Sequence, residues 1–509
     1  MLNATPFLAC FARYRLQRLR LLKPAEAQEK ALLGLLRAAG ETRFGKEHDF
    51  AAIDTVEAFQ RRVPLRRYED FWRDYWSPGF PHVENVTWPG RVPYFAVTSG
   101  TSTGVTKYIP CTSAMVRANR RAALDLLAFH LENRPSSRIL AGRNFMLAGS
   151  TGLSPLAADV LSGDLSGIAA ATLPWWARLR YFPPRDLEEI SNWREKIERL
   201  APLALEADIR SISGTPSWLL LFFEKLASLS PGSERRLAEF WPDLELVAHG
   251  GVNFAPYREL FAGWLEGSRA ETRETYAASE GFIAVADRGD GEGLRLILDN
   301  GLFLEFVPRE ELEDPAPSRH WIGDAETGID YAVIVSSCAG IWSYVLGDTV
   351  RFADLDPPRV VVTGRVSYTL SAFGEHLIDA EIEESVATAA NAIAAAVTDY
   401  SAGPIFPTDS DGQGGHLFLV EFAGGVPEPR RVEDFAWTLD AELRRTNEDY
   451  AIHRSDDYGM AAPRIFAVRP GSFAKWMEAR GQLGGQHKVP RIINDETLFR
   501  ELRDFMGCD

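Results

Sequence analysis

The chain has 509 residues, 46% hydrophobic and 25% charged, an ordinary globular balance that excludes wholesale disorder, and its 41 glycines and 30 prolines show no collagen-like or low-complexity bias. Its 71 acidic residues outnumber 55 basic ones, and the net charge of −16 argues against a nucleic acid or an anionic membrane as the main partner, while leaving small anions open. At about 150 residues per domain, the length suggests three or so domains, with one large and one small equally allowed.

At the N-terminus, Pro6 to Ala12 is apolar but short, has no basic region before it and runs into Arg13 and Arg15. Neither a signal peptide nor a membrane span is expected. Cys10, Cys111, Cys338 and Cys508 form no CxxC pair and no zinc-ligand spacing, which fits a reducing, cytoplasmic setting. Residues 24–39 predict a helix, with Pro24 near its start, Leu32, Leu33, Leu35 and Leu36 on one face, and Gly40 as its stop.

Residues 94–98 predict a strand that enters Ser99-Gly100-Thr101-Ser102-Thr103-Gly104-Val-Thr106-Lys107. Glycines let backbone N–H groups approach an anion, hydroxyls add donors, and Lys107 adds a point charge, which is what a polyphosphate needs. The plain alternative is a Ser/Thr/Gly hairpin loop. The spacing fails the Walker A pattern. Gly100-Thr-Ser102-Thr-Gly104 fits the nucleophile elbow G-x-S-x-G, but that elbow needs a helix next, and the β-branched, aromatic run ending in Pro110 predicts a second strand instead.

Further along, helices are expected at 113–131, with Ser113 as N-cap, and at 190–200 and 218–229. Trp175, Trp176 and Trp218 belong either to the core or to an aromatic ligand pocket. Strands are expected at 244–248, at 294–298 and 303–307 as a hairpin, at 331–336 and at 359–362. Glu280 follows small residues at a strand end, where a carboxylate can hold Mg²⁺ or simply occupy a turn, and Tyr276 could stack on a base. Asp348, in Gly347-Asp348, is expected in a loop, either as an acceptor for ribose hydroxyls or as a plain turn residue. No histidine spacing suggests a metal site.

After residue 365 the pattern changes. An Ala-rich helix over 379–397, a Gly/Pro/Asp-rich loop over 403–415, a strand over 416–422 and a helix over 432–445 form a compact α+β block. The expected organisation is a large domain over 1–365 and a smaller domain over 366–509. Lys488 lies in the glycine-flanked run Gly484-Gly485-Gln486-His487-Lys488, suited either to a mobile loop that reaches a phosphate or to a plain exposed loop.

These segments, in this order, resemble the adenylate-forming ligase superfamily. More closely, they resemble the auxin-responsive Gretchen Hagen acyl acid amido synthetases and their bacterial relatives, over nearly the whole chain. Phe44-Gly-Lys-Glu-His-Asp-Phe50, Val63-Pro-Leu-Arg-Arg-Tyr-Glu69, Gly214-Thr-Pro-Ser-Trp218, Gly471-Ser-Phe473 and Gly484-Gly-Gln-His-Lys-Val-Pro-Arg491 are similar to family landmarks. The resemblance implies a mixed α/β fold, with a large N-terminal domain of β-sheets and helices and a small α+β domain that rotates on a hinge. It implies ATP and Mg²⁺ as cofactors, a small-molecule carboxylic acid and an amine, usually an amino acid, as substrates, and no nucleic acid or membrane partner. Ser99, Gly100, Thr101, Ser102, Gly104 and Lys107 would form the phosphate loop. Gly250 and Gly251 would be the nucleotide-side glycine pair, Tyr276 would contact adenine, Glu280 would hold Mg²⁺, Asp348 would bind ribose, Arg365 would be the hinge-side arginine, and Lys488 the mobile lysine of adenylation. An adenylating enzyme with a thiol acceptor such as coenzyme A, and a non-catalytic nucleotide-binding relative, are the alternatives. Residues 144–181 match no family pattern, so the acid stays unnamed.

Overall fold

The structure, a computed structural model, describes residues 1–508 apart from 99–106, 148–151, 189, 191–192, 253, 255–256, 290, 367–368, 408–412, 456–458 and 481–488. Helices α1 (Thr5–Arg20) and α2 (Pro24–Ala39) both carry a proline in the first turn, where its missing N–H costs nothing. Leu32, Leu35 and Leu36 of α2 are buried, as the apolar spacing requires. Strands β1 (Tyr94–Thr98) and β2 (Lys107–Cys111) pair antiparallel and lead into α3 (Ser113–Asn133). Thr112 rather than Ser113 caps α3, since its hydroxyl accepts the N–H of Met115.

The centre of the molecule is a twelve-stranded sheet. One wing is parallel and alternates with helices. It contains β3 (Arg143–Met146), and, after the outlying β4 (Ser154–Ala157) and β5 (Val160–Gly163), β6 (Tyr181–Phe182). Helix α4 (Trp193–Leu205), β7 (Ile209–Gly214), α5 (Pro216–Ser228), β8 (Leu246–Gly250) and β9 (Glu271–Ala278) complete it. The other wing is antiparallel, with β10 (Gly281–Val285), β11 (Leu294–Leu296), β12 (Leu302–Pro308), β13 (His320–Trp321), β14 (Asp330–Ser337), β15 (Ile341–Leu355) and β16 (Pro358–Arg365). The order across the sheet is β13-β12-β14-β15-β16-β11-β10-β9-β8-β7-β3-β6, while β1, β2, β4 and β5 form a second, four-stranded sheet.

Two expectations change here. The strands expected as a hairpin at 294–298 and 303–307 do not pair: β11 lies between β10 and β16, and β12 pairs with β13 and β14. Asp348 is in no loop. It lies inside β15, where three residues, 346–348, oppose Val333 alone in a bulge that Gly347 turns with a φ of +97°.

The smaller α+β part begins with the hairpin of β17 (Thr369–Leu370) and β18 (Leu377–Ile378). Helix α6 (Asp379–Ala392) ends sooner than the alanine run suggests, because Ala394 adopts a left-handed φ of +48° before β19 (Val397–Ile405). There follow β20 (Gly415–Phe422), α7 (Pro429–Thr446), α8 (Glu448–His453), β21 (Arg464–Val468), α9 (Ser472–Ala479) and α10 (Glu496–Met506). The β19-β20-β21 sheet has apolar cores on both faces, one including Phe418, Phe435 and Leu439, the other Leu419, Trp476 and Phe499. The large part has its main core around Phe44, Trp76, Phe303 and Trp342, and another under α4 and α5 around Phe222 and Trp241. No helix among the described residues is long and apolar enough to cross a membrane.

Gly281 closes the turn between β9 and β10, and a Cβ there would stand 2.6 Å from Cδ2 of Leu302, a fully buried side chain. Gly281→Ala is expected to cost about 1–3 kcal/mol of stability through overpacking, read as a lower urea midpoint. A midpoint equal to wild type would show that this turn relaxes freely.

Candidate active site

Strand register builds the site. In the β15–β16 ladder Asp348 stands opposite Arg365, and the Arg365 Nε lies 3.1 Å from Oδ1 of Asp348. The hydroxyl of Tyr276, near the end of β9, donates to Oδ2 of the same carboxylate at 2.8 Å. Ala278 pairs with Gly281, which leaves Ser279 and Glu280 as a two-residue turn. Ser337 Oγ donates to the Glu280 carbonyl at 2.9 Å and ties that turn to β14. Lys107, the first residue of β2, points its charge toward the same region, with Nζ 3.6 Å from Oε1 of Glu69 and 5.2 Å from the Tyr68 ring centroid.

The electrostatics follow from burial. Glu280 is 8% exposed, and burial, reinforced by the Asp348 charge, pushes its carboxyl up to about 6, against the opposing pull of its own backbone N–H, the Tyr344 hydroxyl and Lys107. The Tyr344 phenol is held far above its ordinary value by burial and by Glu280 beside it, so it stays a hydrogen-bond donor. Tyr276 is raised in the same way by burial and Asp348. Burial lowers the Lys107 ammonium, and Glu69 and Glu280 partly restore it.

The structure thus brings together Lys107, Tyr276, Glu280, Asp348 and Arg365. Gly250 and Gly251 stand at the end of β8, next to β9. A Cβ on Gly250 would overlap the Thr275 carbonyl at 2.3 Å, and Gly251 has a φ of +88°, so both positions suit only glycine. Ser99, Gly100, Thr101, Ser102, Gly104 and Lys488 lie outside the described residues. Lys107 opens a strand, not a helix, which removes the hydrolase elbow. Trp218 lines no open pocket. It is 6% exposed and packs against His453, while Trp175 is 77% exposed. Sequence reasoning assigned no role to Tyr344 and Glu69. Tyr344 and Asp348 lie on one strand but on either side of its bulge, so period-two spacing alone would not have placed them together.

No three His, Cys, Asp or Glu side chains converge as a metal cluster among the described residues. Glu280 nonetheless fits Mg²⁺, which commonly takes one or two carboxylates and completes its shell with phosphate oxygens and water. Lys107 and Arg365 offset the two carboxylates only in part, and Glu280 stays raised, so a cation would supply further countercharge there.

Family models match three consecutive stretches of the chain: the GH3 family N-terminal domain at residues 16–269, its central domain at 295–365 and its C-terminal domain at 380–497. The chain is 21% identical to the Arabidopsis thaliana indole-3-acetic acid-amido synthetase GH3.4, over 94% of this chain and 91% of the relative. It is 24% identical to the putative indole-3-acetic acid-amido synthetase GH3.9 of the same plant, over 94% and 93%. A GH3.15 acyl acid amido synthetase structure shares the fold with a TM-score of 0.58 at 17% identity, covering 97% of this chain and 95% of the other. A 2-hydroxyisobutyryl-CoA ligase bound to its acyl adenylate and CoA does so at 0.59 and 17%, covering 96% and 93%.

The Glu280 carboxyl, raised in the folded chain to about 6 from 4.5, favours folding in its protonated form. Stability from this group is present at low pH and is lost as pH rises from about 4.5 to about 6. Glu280→Gln in the metal- and nucleotide-free chain is therefore expected to raise the melting temperature at pH 8, with a gain of order 2 kcal/mol that vanishes below about pH 4.5. A pH-independent gain, or a loss at pH 8, would contradict the assigned electrostatics.

Proposed function

The chain belongs to the GH3 family, and from that membership and the geometry of its site we propose that it is an ATP-dependent ligase joining a carboxylic acid to an amine, through an acyl adenylate. The amine is an amino acid in this reading, in line with the amido synthetase relatives. The observation that carries the site is the convergence of Lys107, Tyr276, Glu280, Asp348 and Arg365, drawn from well-separated parts of the chain.

The carboxylate and the triphosphate repel each other, so the first task is neutralisation. Glu280 would hold Mg²⁺, which supplies Lewis-acid charge compensation on the phosphate oxygens. Lys107 and Lys488 would add positive charge, and the backbone of glycines 100 and 104 with the hydroxyls of Ser99, Thr101 and Ser102 would donate hydrogen bonds to the phosphates. Asp348, its carboxylate oriented by Tyr276 and Arg365, accepts the ribose hydroxyls, and the Tyr276 ring edge and the Gly250–Gly251 backbone border the adenosine. A substrate carboxylate oxygen then attacks the α-phosphorus, the bond to the β-phosphate oxygen breaks, and pyrophosphate leaves. In the second step the neutral amine nitrogen attacks the acyl carbon, the bond to AMP breaks and the nitrogen sheds a proton. Between the steps the smaller domain, residues 366–509, turns on the hinge after Arg365 and takes Lys488 toward or away from the phosphates. No protein nucleophile takes part.

Acid-dependent exchange of labelled pyrophosphate into ATP across a panel of carboxylic acids tests the first step. AMP release that depends on an amine rather than on a thiol tests the second. Exchange is expected with at least one acid, falling roughly a hundred- to a thousandfold in Glu280→Ala. Lys488→Ala is expected to slow adenylate formation while leaving ATP binding intact. No exchange with any acid, or thiol-only AMP release, would overturn the proposal.

A further inference from the structure

Three donors from the large part of the molecule meet three acceptors of the small part in one place. Ser217 Oγ donates to the Phe373 carbonyl at 3.4 Å, Trp218 Nε1 to His453 Nε2 at 3.2 Å, and the Tyr257 hydroxyl to the Ala372 carbonyl at 2.9 Å. The acceptor side is rigid. The carboxylate of Glu375, fully buried, accepts the N–H groups of Ala372 and Phe373 at 3.0 and 2.7 Å and lies 2.8 Å from His416 Nε2. This pins the β17–β18 turn from within, so its carbonyls at 372 and 373 remain for the other domain.

Trp218 sits in a slot shaped for it. His453 Nδ1 lies 2.7 Å from the Asp449 carbonyl, which can only accept, so Nδ1 carries the proton and Nε2 is the lone pair that the indole reaches. A Cβ on Gly459 would lie 2.8 Å from Cη2 of Trp218, and one on Gly374, whose φ is +102°, would lie 3.1 Å from His453 Nε2. Both neighbours of the pair are therefore held to glycine by space or by backbone. On the other side, Trp218 follows Thr215 in the first turn of α5, and Thr215 Oγ1 is the nearest group to a Cβ on Gly251, at 3.8 Å. The contact thus begins beside the nucleotide-side glycine pair.

Residues 490–492 pack on β19. Ile492 bridges Ala402, Ser401 Oγ donates to the Pro490 carbonyl, and the Arg491 guanidinium lies over the Tyr400 ring. Just past the end of β19, Phe406 contacts Tyr257 of the large domain edge-on.

Building on the ligase reading, we propose that Trp218 is a positioning residue: its indole N–H, seated on His453, latches the small domain against the large one in the orientation seen here, which serves one of the two half-reactions. The latch touches no substrate. It sets the balance between the two orientations, so its loss shifts the two half-reactions in opposite senses.

Hydrogen exchange of the full, substrate-free chain tests the latch without any knowledge of the acid. In Trp218→Phe, amides of 369–378 and 449–455 are expected to exchange about fivefold to tenfold faster, with β20 and α7 unchanged. His453→Ala should do the same, and the double variant should add nothing to either single one. Gly374→Ala, which crowds His453 from outside, is the second route to the same opening if Trp218→Phe does not fold. With an acid that supports pyrophosphate exchange, the ratio of acyl-transfer to adenylation rate should shift about fivefold to tenfold in Trp218→Phe, one half-reaction gaining where the other loses. Unchanged exchange at both segments, additive effects in the double variant, or an equal fall in both half-reactions would overturn the proposal. Failure to find any acid bears on the ligase reading and leaves the exchange experiment decisive for the latch.

Discussion

Two carboxylates held in one buried corner, Glu280 and Asp348, are the constraint on which the rest of the site depends. The Asp348 charge raises the cost of ionising Glu280, and the chain offsets only part of that cost with Lys107 and the Tyr344 hydroxyl, while Arg365 and the Tyr276 hydroxyl hold Asp348. Such a corner is unfavourable for folding and well suited to gathering a cation and a ribose. On the proposed reading, the apparent conflict between an acidic site and an anionic triphosphate resolves through that surplus: the carboxylates would attract Mg²⁺, and the metal and the lysines would then meet the phosphates.

The sheet explains how the corner is held. Its parallel wing ends strands β7 and β8 at Gly214 and Gly250, as open α/β sheets commonly do at ligand crevices. Its antiparallel wing supplies Asp348 and Arg365 as facing residues of one ladder, so their pairing is built into the backbone register. β9 joins the wings, pairing parallel with β8 and antiparallel with β10, and Tyr276 and the Glu280 turn lie along that seam. The smaller domain reaches the same end of the sheet through the β17–β18 turn, where Trp218 and Tyr257 receive it.

Much of this was legible in the residues. The helix at 24–39, the strand at 94–98 and the α+β character of the C-terminal part follow from periodicity and composition, and the family landmarks single out Tyr276, Glu280 and Asp348, which the fold brings to one corner. What local pattern could not carry was long-range pairing. Val345 and Leu346 before Gly347-Asp348 look like a strand giving way to a turn, because a bulge inside a continuous strand uses the same residues as a turn. Runs 294–298 and 303–307 look like a hairpin because only the sheet order shows that their partners lie elsewhere. Trp218 has the composition of a pocket-lining aromatic, and its partner His453 is 235 residues away. Glu69 and Tyr344 carry no motif of their own and gain meaning only from Lys107 and Glu280.

A crystal structure of the chain with Mg²⁺ and a non-hydrolysable ATP analogue tests the central claim most directly. The account predicts both ribose hydroxyls within hydrogen-bond distance of the Asp348 carboxylate and the metal on Glu280. Adenosine bound away from Asp348, with Glu280 free of metal, would contradict it.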